Sequence, residues 1–118
     1  MSVATEGGTV DLVAEFTALP GHEDEVEALL ADLAVAVRGE RGCLVFDSYA
    51  VAAPPPVAEA AAAPAVDGRR FVVVESYRDA EAFEAHLEQP HGAVFNAALR
   101  PLIAEPTGSV LRFLRPVR

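Results

Sequence analysis

Between Val10 and Thr17, the residues Val10, Leu12, Ala14 and Phe16 alternate with Asp11, Val13, Glu15 and Thr17, a period of two that predicts a strand. Pro20-Gly21 then breaks the pattern. Val26, Leu29, Leu30, Leu33 and Val37 recur at steps of three and four behind the acidic cluster Glu23, Asp24 and Glu25, which predicts an amphipathic helix with negative charge at its N-terminus. Arg38 and Gly39 predict its end, the glycine by adopting positive φ. Cys43 to Val51 and Phe71 to Tyr77 are rich in β-branched and aromatic residues and predict two more strands. Asp79 is expected to cap a short helix carrying Phe83 and Leu87 on its apolar face, which Pro90 interrupts. A second helical run places Phe95, Ala98, Leu99 and Leu102 on one stripe and ends near Pro101, and Ser109 to Arg115 predicts the last strand.

The order strand, helix, strand, strand, helix pair, strand is that of an α+β protein with a split βαβ, ferredoxin-like arrangement and an antiparallel four-stranded sheet. One domain, residues 10–118, accounts for it, preceded by a loose polar tail at 1–9. Ala52 to Arg69 holds eight alanines and four prolines in 18 residues. Such a segment can neither extend a ladder nor fill a core, so it is expected to protrude as a hairpin insert, with a helical turn near Ala58 to Ala63. Val72 and Val74 point to one side of their strand, Phe71 and Val73 to the other, and two helices can cover only one of these faces. A second copy packed sheet to sheet is the expected cover, making the protein a homodimer.

Charge narrows the partners. Nine Lys and Arg against eighteen Asp and Glu give a net charge of -9, which repels nucleic acid and anionic lipid. No apolar run approaches the roughly 20 residues of a membrane span, and Met1 to Thr9 has no signal-like pattern, so a cytoplasmic location is expected. The lone Cys43 follows Gly42 without a neighbouring histidine and reads as a small apolar filler. No glycine-rich phosphate loop precedes a helix, so no nucleotide cofactor is implied.

Helical spacing places His86 beside Phe83 at the edge of the apolar face, while His91 falls in the first turn after Pro90, where the helix dipole disfavours the imidazolium. Imidazoles at an apolar pocket suit proton transfer to or from a phenol; the structural alternative is that each ties a helix end to backbone. Tyr77 shares a strand face with Glu75, and Tyr49 with Asp47, so each pairs a hydroxyl with a carboxylate, although a core or interface role is open to both. Glu75, a carboxylate in an apolar strand, needs a partner, and Arg112 in the last strand is the expected one. Asn96 offers a donor and an acceptor beside the apolar stripe. His86 and His91 stand five residues apart across Pro90, which matches no helical metal pair, so no metal is expected.

The stretch Glu75-Ser-Tyr-Arg-Asp-Ala-Glu-Ala-Phe-Glu-Ala-His86-Leu-Glu-Gln-Pro-His91, together with Phe95 and Leu99-x-Pro101-Leu102, resembles the antibiotic-biosynthesis-monooxygenase family. So do Pro20-Gly21-x-Glu23 and Arg41-Gly42-Cys43-Leu44. The resemblance implies a dimeric α+β barrel with a pocket between sheet and helices in each subunit, and cofactor-independent oxygenation of an electron-rich aromatic, polyketide-like or quinol substrate by O2. The alternatives are an isomerase or cyclase of a similar compound, or a non-catalytic dimer that binds a small apolar molecule. On the first reading His86 is base or donor, Tyr77 and Asn96 orient the substrate, and His91, Tyr49, Phe83 and Phe95 contact it. The chain departs from the haem-degrading branch: His86, Phe16 and Asn96 stand where that branch has its helical Trp, strand Asn and axial His, so a haem would lack its ligand.

Overall fold

The computed structural model describes residues 8–118. Of the expected tail at 1–9, residues 1–7 lie outside the described residues. Seven elements follow in chain order: β1 (Val10–Ala18), α1 (Glu23–Arg38), β2 (Cys43–Ala50), β3 (Arg69–Tyr77), α2 (Ala80–Leu87), α3 (Pro90–Leu99) and β4 (Val110–Leu114). The strands form one antiparallel sheet in the order β2-β3-β1-β4. This is the α+β, ferredoxin-like architecture that the element order predicts.

The period of two in β1 becomes two faces. Ala14 and Phe16 join Phe71 and Val73 of β3 and Phe46 of β2 beneath the helices, where Val26, Leu30, Ala34 and Val37 of α1 and Phe95 and Leu99 of α3 close the core. Leu12, Tyr77 and Ala82 form a second buried cluster under α2, with Phe83 packed against it. The opposite face has no helix. It carries Val13, Glu15, Val72, Val74, Val110, Arg112 and Leu114, and Val74, Val110 and Leu114 are exposed.

Strand parity corrects the expected pairing of Glu75 with Arg112. Glu75 lies opposite Leu12 on the helix-covered face, whereas Arg112 lies opposite Val13 on the helix-free face. Arg112 therefore donates from Nε to Glu15 at 2.9 Å. Gly39 ends α1, but with φ of -78°, so the left-handed stop is not used. Positive φ falls instead at Gly21 in the β1–α1 turn and at Gly68 before β3, where a Cβ would overlap the Ala18 carbonyl oxygen. Asp79 caps α2 as expected, accepting from the Ala82 N–H at 2.8 Å.

Between β2 and β3 the Ala/Pro segment contains one 3₁₀ turn, Pro56–Ala61, with no buried residue. Val51 N–H still donates to the Arg70 carbonyl, so the hairpin ladder extends one step before the insert leaves it. Among the described residues no helix is long and apolar enough to cross a membrane.

Candidate functional site

Between the sheet and the three helices lies a cavity of about 130 Å³. Its walls are apolar, including Leu12, Ala14, Phe16, Phe46, Phe83 and Phe95, and its polar lining comes from Glu75, His86, Asn96 and Ser109. Glu75 is 6% exposed and occupies the buried end. Asn96, Leu87 and Leu111 are exposed and mark the mouth.

His86 reaches this cavity because the Asp79 cap fixes the phase of α2, placing Phe83 and His86 inward together. Gly42 lets α2 come close, since a Cβ there would overlap the Cβ of Ala82. The His86 ring packs 4.8 Å from Tyr77 and 6.0 Å from Phe83, centroid to centroid. Its Nδ1 stands 2.9 Å from Glu40 Oε1, and its Nε2 3.9 Å from Glu75 Oε1.

Glu40 organises the site although no sequence pattern marks it. It follows the end of α1, where its N–H donates to the Val37 carbonyl and turns the chain back toward α2. Its carboxylate meets both histidines, with His91 Nε2 at 2.6 Å from Oε2. An ionised carboxylate can only accept, so His86 donates from Nδ1. With Nδ1 donating, the tautomer that can accept a proton has its lone pair on Nε2, the nitrogen nearer Glu75. At 3.9 Å those two atoms are too far apart for a hydrogen bond, which leaves Nε2 free for a ligand proton.

Glu75 is differently placed. Burial pushes its carboxyl above the usual range, opposed by the hydrogen bond from the Tyr77 hydroxyl at 2.7 Å. Burial and the neighbouring Glu75 charge push Tyr77 upward in turn, so this phenol donates and does not serve as a base. Cys43, half-buried near Glu40 and Glu75, is also pushed up, chiefly by burial, which disfavours the thiolate.

The cavity thus brings together His86, Asn96, Phe83 and Phe95. Tyr77 is fully buried behind Glu75 and does not line it. His91 lies behind Glu40, where both border an open cleft with Arg41, Arg78 and Gln89. Tyr49 is far from all of these: it pairs with Val72 on the helix-free face and is 57% exposed. Glu40 is the residue that sequence reasoning missed, and its one signal was its position directly before Arg41-Gly42-Cys43-Leu44. Among the described residues, no group of three or more His, Cys, Asp and Glu is arranged to hold a metal ion.

Comparison with known proteins agrees with this architecture. The Mycobacterium tuberculosis protein named "Putative monooxygenase Rv0793" is 28% identical over 97 residues, covering 82% of each chain. The solved structure of Rv0793 superposes with a TM-score of 0.72 at 25% identity, covering 94% of this chain and 97% of that one. PA3566 from Pseudomonas aeruginosa, at 24% identity, shares the fold with a TM-score of 0.72, over 97% of this chain and 98% of its own. The sequence model of the family "Antibiotic biosynthesis monooxygenase" matches residues 9–98, and the chain belongs to that family.

Proposed function

We propose that the protein is a cofactor-independent monooxygenase of electron-rich phenols or quinols. One observation carries the reading: an imidazole held by Glu40, with Nε2 left free, lines an apolar-walled cavity. His86 takes the phenolic proton at Nε2, and the Glu40 carboxylate stabilises the imidazolium that forms. The resulting phenolate is a better electron donor than the phenol. It gives one electron to O2, and the radical pair combines to form a carbon–oxygen bond at the ring. The peroxide takes up the proton held by His86; its O–O bond then breaks as the hydrogen on the same ring carbon leaves as a proton, so one oxygen remains as a carbonyl, the other departs as water, and the substrate supplies all the electrons. Apolar walls limit the water that could divert the peroxide. Asn96 orients the ring from the mouth, and Tyr77 acts through Glu75. Glu40 and His91 border the open cleft, which gives His86 a proton path to and from solvent.

The homodimer belongs to the same reading, with the helix-free faces packed together and the cavities left on the outer sides. Val74, Val110 and Leu114, exposed on one face of a single chain, support it.

The test is oxygen consumption by metal-stripped protein supplied with hydroquinones, naphthols and anthrone-like phenols. Uptake matched by one equivalent of oxidised product supports the reading, and absence of uptake across the panel overturns it. A second reading has its own observation. Glu75, with its carboxyl held up by burial, and His86 form an acid and a base 3.9 Å apart, which suits a proton shift without oxygen. Product formation under argon assigns that reading.

A further inference from the structure

The proposed reading leaves the size of the substrate open, and the cavity restricts it. An apolar cavity of about 150 Å³ takes up a benzene ring. This one has about 130 Å³ and four phenylalanines, Phe16, Phe46, Phe83 and Phe95, in its wall. Three of them are nearly fully buried: Phe16 at 1%, Phe46 at 4% and Phe95 at 8%. Phe16 is further fixed by ring contacts with Phe71 at 5.7 Å and Phe95 at 6.3 Å. Walls packed in this way resist expansion, so a second or third fused ring has to displace core side chains or press outward against Leu111 at the mouth.

Polar groups occur at two poles. Buried Glu75, with His86 Nε2 3.9 Å from it, forms the inner pole, exposed Asn96 marks the outer one, and Ser109 is a half-buried part of the lining. The rest of the lining is apolar apart from the backbone at Gly92. A ligand hydroxyl can reach the inner pole only if the ring fills the space between, which brings a substituent on the far side of that ring to Asn96.

We propose that the site takes a single aromatic ring with a hydroxyl at the Glu75–His86 end and a second hydrogen-bonding group across the ring at the Asn96 end, as in a substituted hydroquinone, and rejects fused tricyclic phenols. This rests on the monooxygenase reading for its chemistry but not for its binding test. Ala14 and Leu111 set the limit. They face each other across neighbouring strands, Ala14 buried at 5% and Leu111 at the mouth at 42%.

Equilibrium binding is measured under argon, where no O2 is present for turnover, with three phenolic probes: 4-methoxyphenol, 6-methoxy-2-naphthol and 9-phenanthrol. Ordinary hydrophobic binding strengthens with ring count, so the reverse order is diagnostic. The expected result is that each added ring weakens binding by about tenfold or more, as overpacking requires. Tighter binding of the phenanthrol than of the methoxyphenol overturns the proposal. Leu111→Ala, at an exposed position that tolerates truncation, should bring the naphthol level with the methoxyphenol; unchanged order in that variant also overturns it. Asn96→Ala should abolish the preference for 4-methoxyphenol over 4-ethylphenol, and a retained preference removes the outer pole. Binding in this order without oxygen uptake in air leaves the size rule standing while the monooxygenase reading falls.

Discussion

Two glutamates in the middle of the same sheet live in opposite worlds. Glu15 of β1 faces the helix-free side, where Arg112 at 2.9 Å and Arg70 at 3.2 Å hold its carboxyl below the usual range. Glu75 of β3 faces the helices, with a phenol and an imidazole for company and no arginine, and burial pushes it the other way. A glutamate neutralised by two arginines in a row of valines is suited to a face that packs against another copy. A glutamate kept without an arginine, beside an apolar cavity, has its carboxyl pushed up by burial, which favours the protonated form. Strand parity alone separates the two environments, and on the proposed reading the sheet divides association from chemistry.

The strongest way to break this division is His86→Ala. With the base gone, turnover per folded molecule should fall roughly 10²- to 10⁴-fold, the usual worth of a positioned proton-transfer group. Dimer mass should be unchanged, because His86 lies on the opposite side of the sheet from Val74. Glu40→Gln should lower turnover less and move the pH profile, since the amide no longer stabilises the imidazolium. Normal turnover by a merely destabilised His86→Ala protein removes His86 from the mechanism.

Val74→Arg attacks the other face. Asp47 lies directly opposite Val74, so the single chain accommodates the new cation, but a dry seam between two sheets does not. The dimer dissociation constant, read by light scattering or analytical ultracentrifugation, should rise about a hundredfold or more. A monomer mass for the unsubstituted protein at micromolar concentration would overturn the dimer itself.

Acid and base titration of stability sharpens the contrast between the glutamates. Glu75 has a folded-state value raised above 4.5, so its contribution is fully present below pH 4.5 and is lost as pH rises through the raised value. Glu15 is lowered from 4.5, so its contribution is present above pH 4.5 and is lost as pH falls through the lowered value. Melting temperature against pH should therefore flatten on the rising side in Glu75→Gln and on the acid side in Glu15→Gln. Identical curves for the two variants would mean that the faces do not differ electrostatically.

The division was partly legible in the sequence. Alternation in Val10 to Thr17 and in Phe71 to Tyr77 fixed which residues share a face, including Tyr77 with Glu75, whose side chains are hydrogen-bonded. It did not show which of two carboxylates Arg112 would reach, because that depends on the register of β4 against β1, and register is set by turns rather than by composition. Glu40 escaped for a related reason. It sits between a helix end and a strand, where no periodicity applies, and its partners are 46 and 51 residues away. Residues 52–69 were the reverse case: the composition that denies them a core is visible directly.

That segment supplies the smallest expected effect, and it tests whether anything lies outside the two-face scheme. Ala53 to Val66 are exposed except for a half-buried Ala58, and the 3₁₀ turn buries nothing. Replacing residues 53–66 by a tight turn removes no core contact, and shortening the loop reduces closure entropy by about 1 kcal/mol. The replacement must keep Gly68, because its positive φ and its approach to the Ala18 carbonyl oxygen exclude a side chain. The melting temperature should then stay within about 4 °C of the full chain, with any shift upward. Oxygen uptake should also be unchanged, because no residue of the insert lines the cavity. The insert does border the helix-free face, where Ala52 to Pro54 and Ala62 to Val66 line a hollow with Glu15 and Val72. A deletion that leaves stability intact but weakens the dimer would therefore assign the insert to the association face, and a large loss of stability in the single chain would show that it packs.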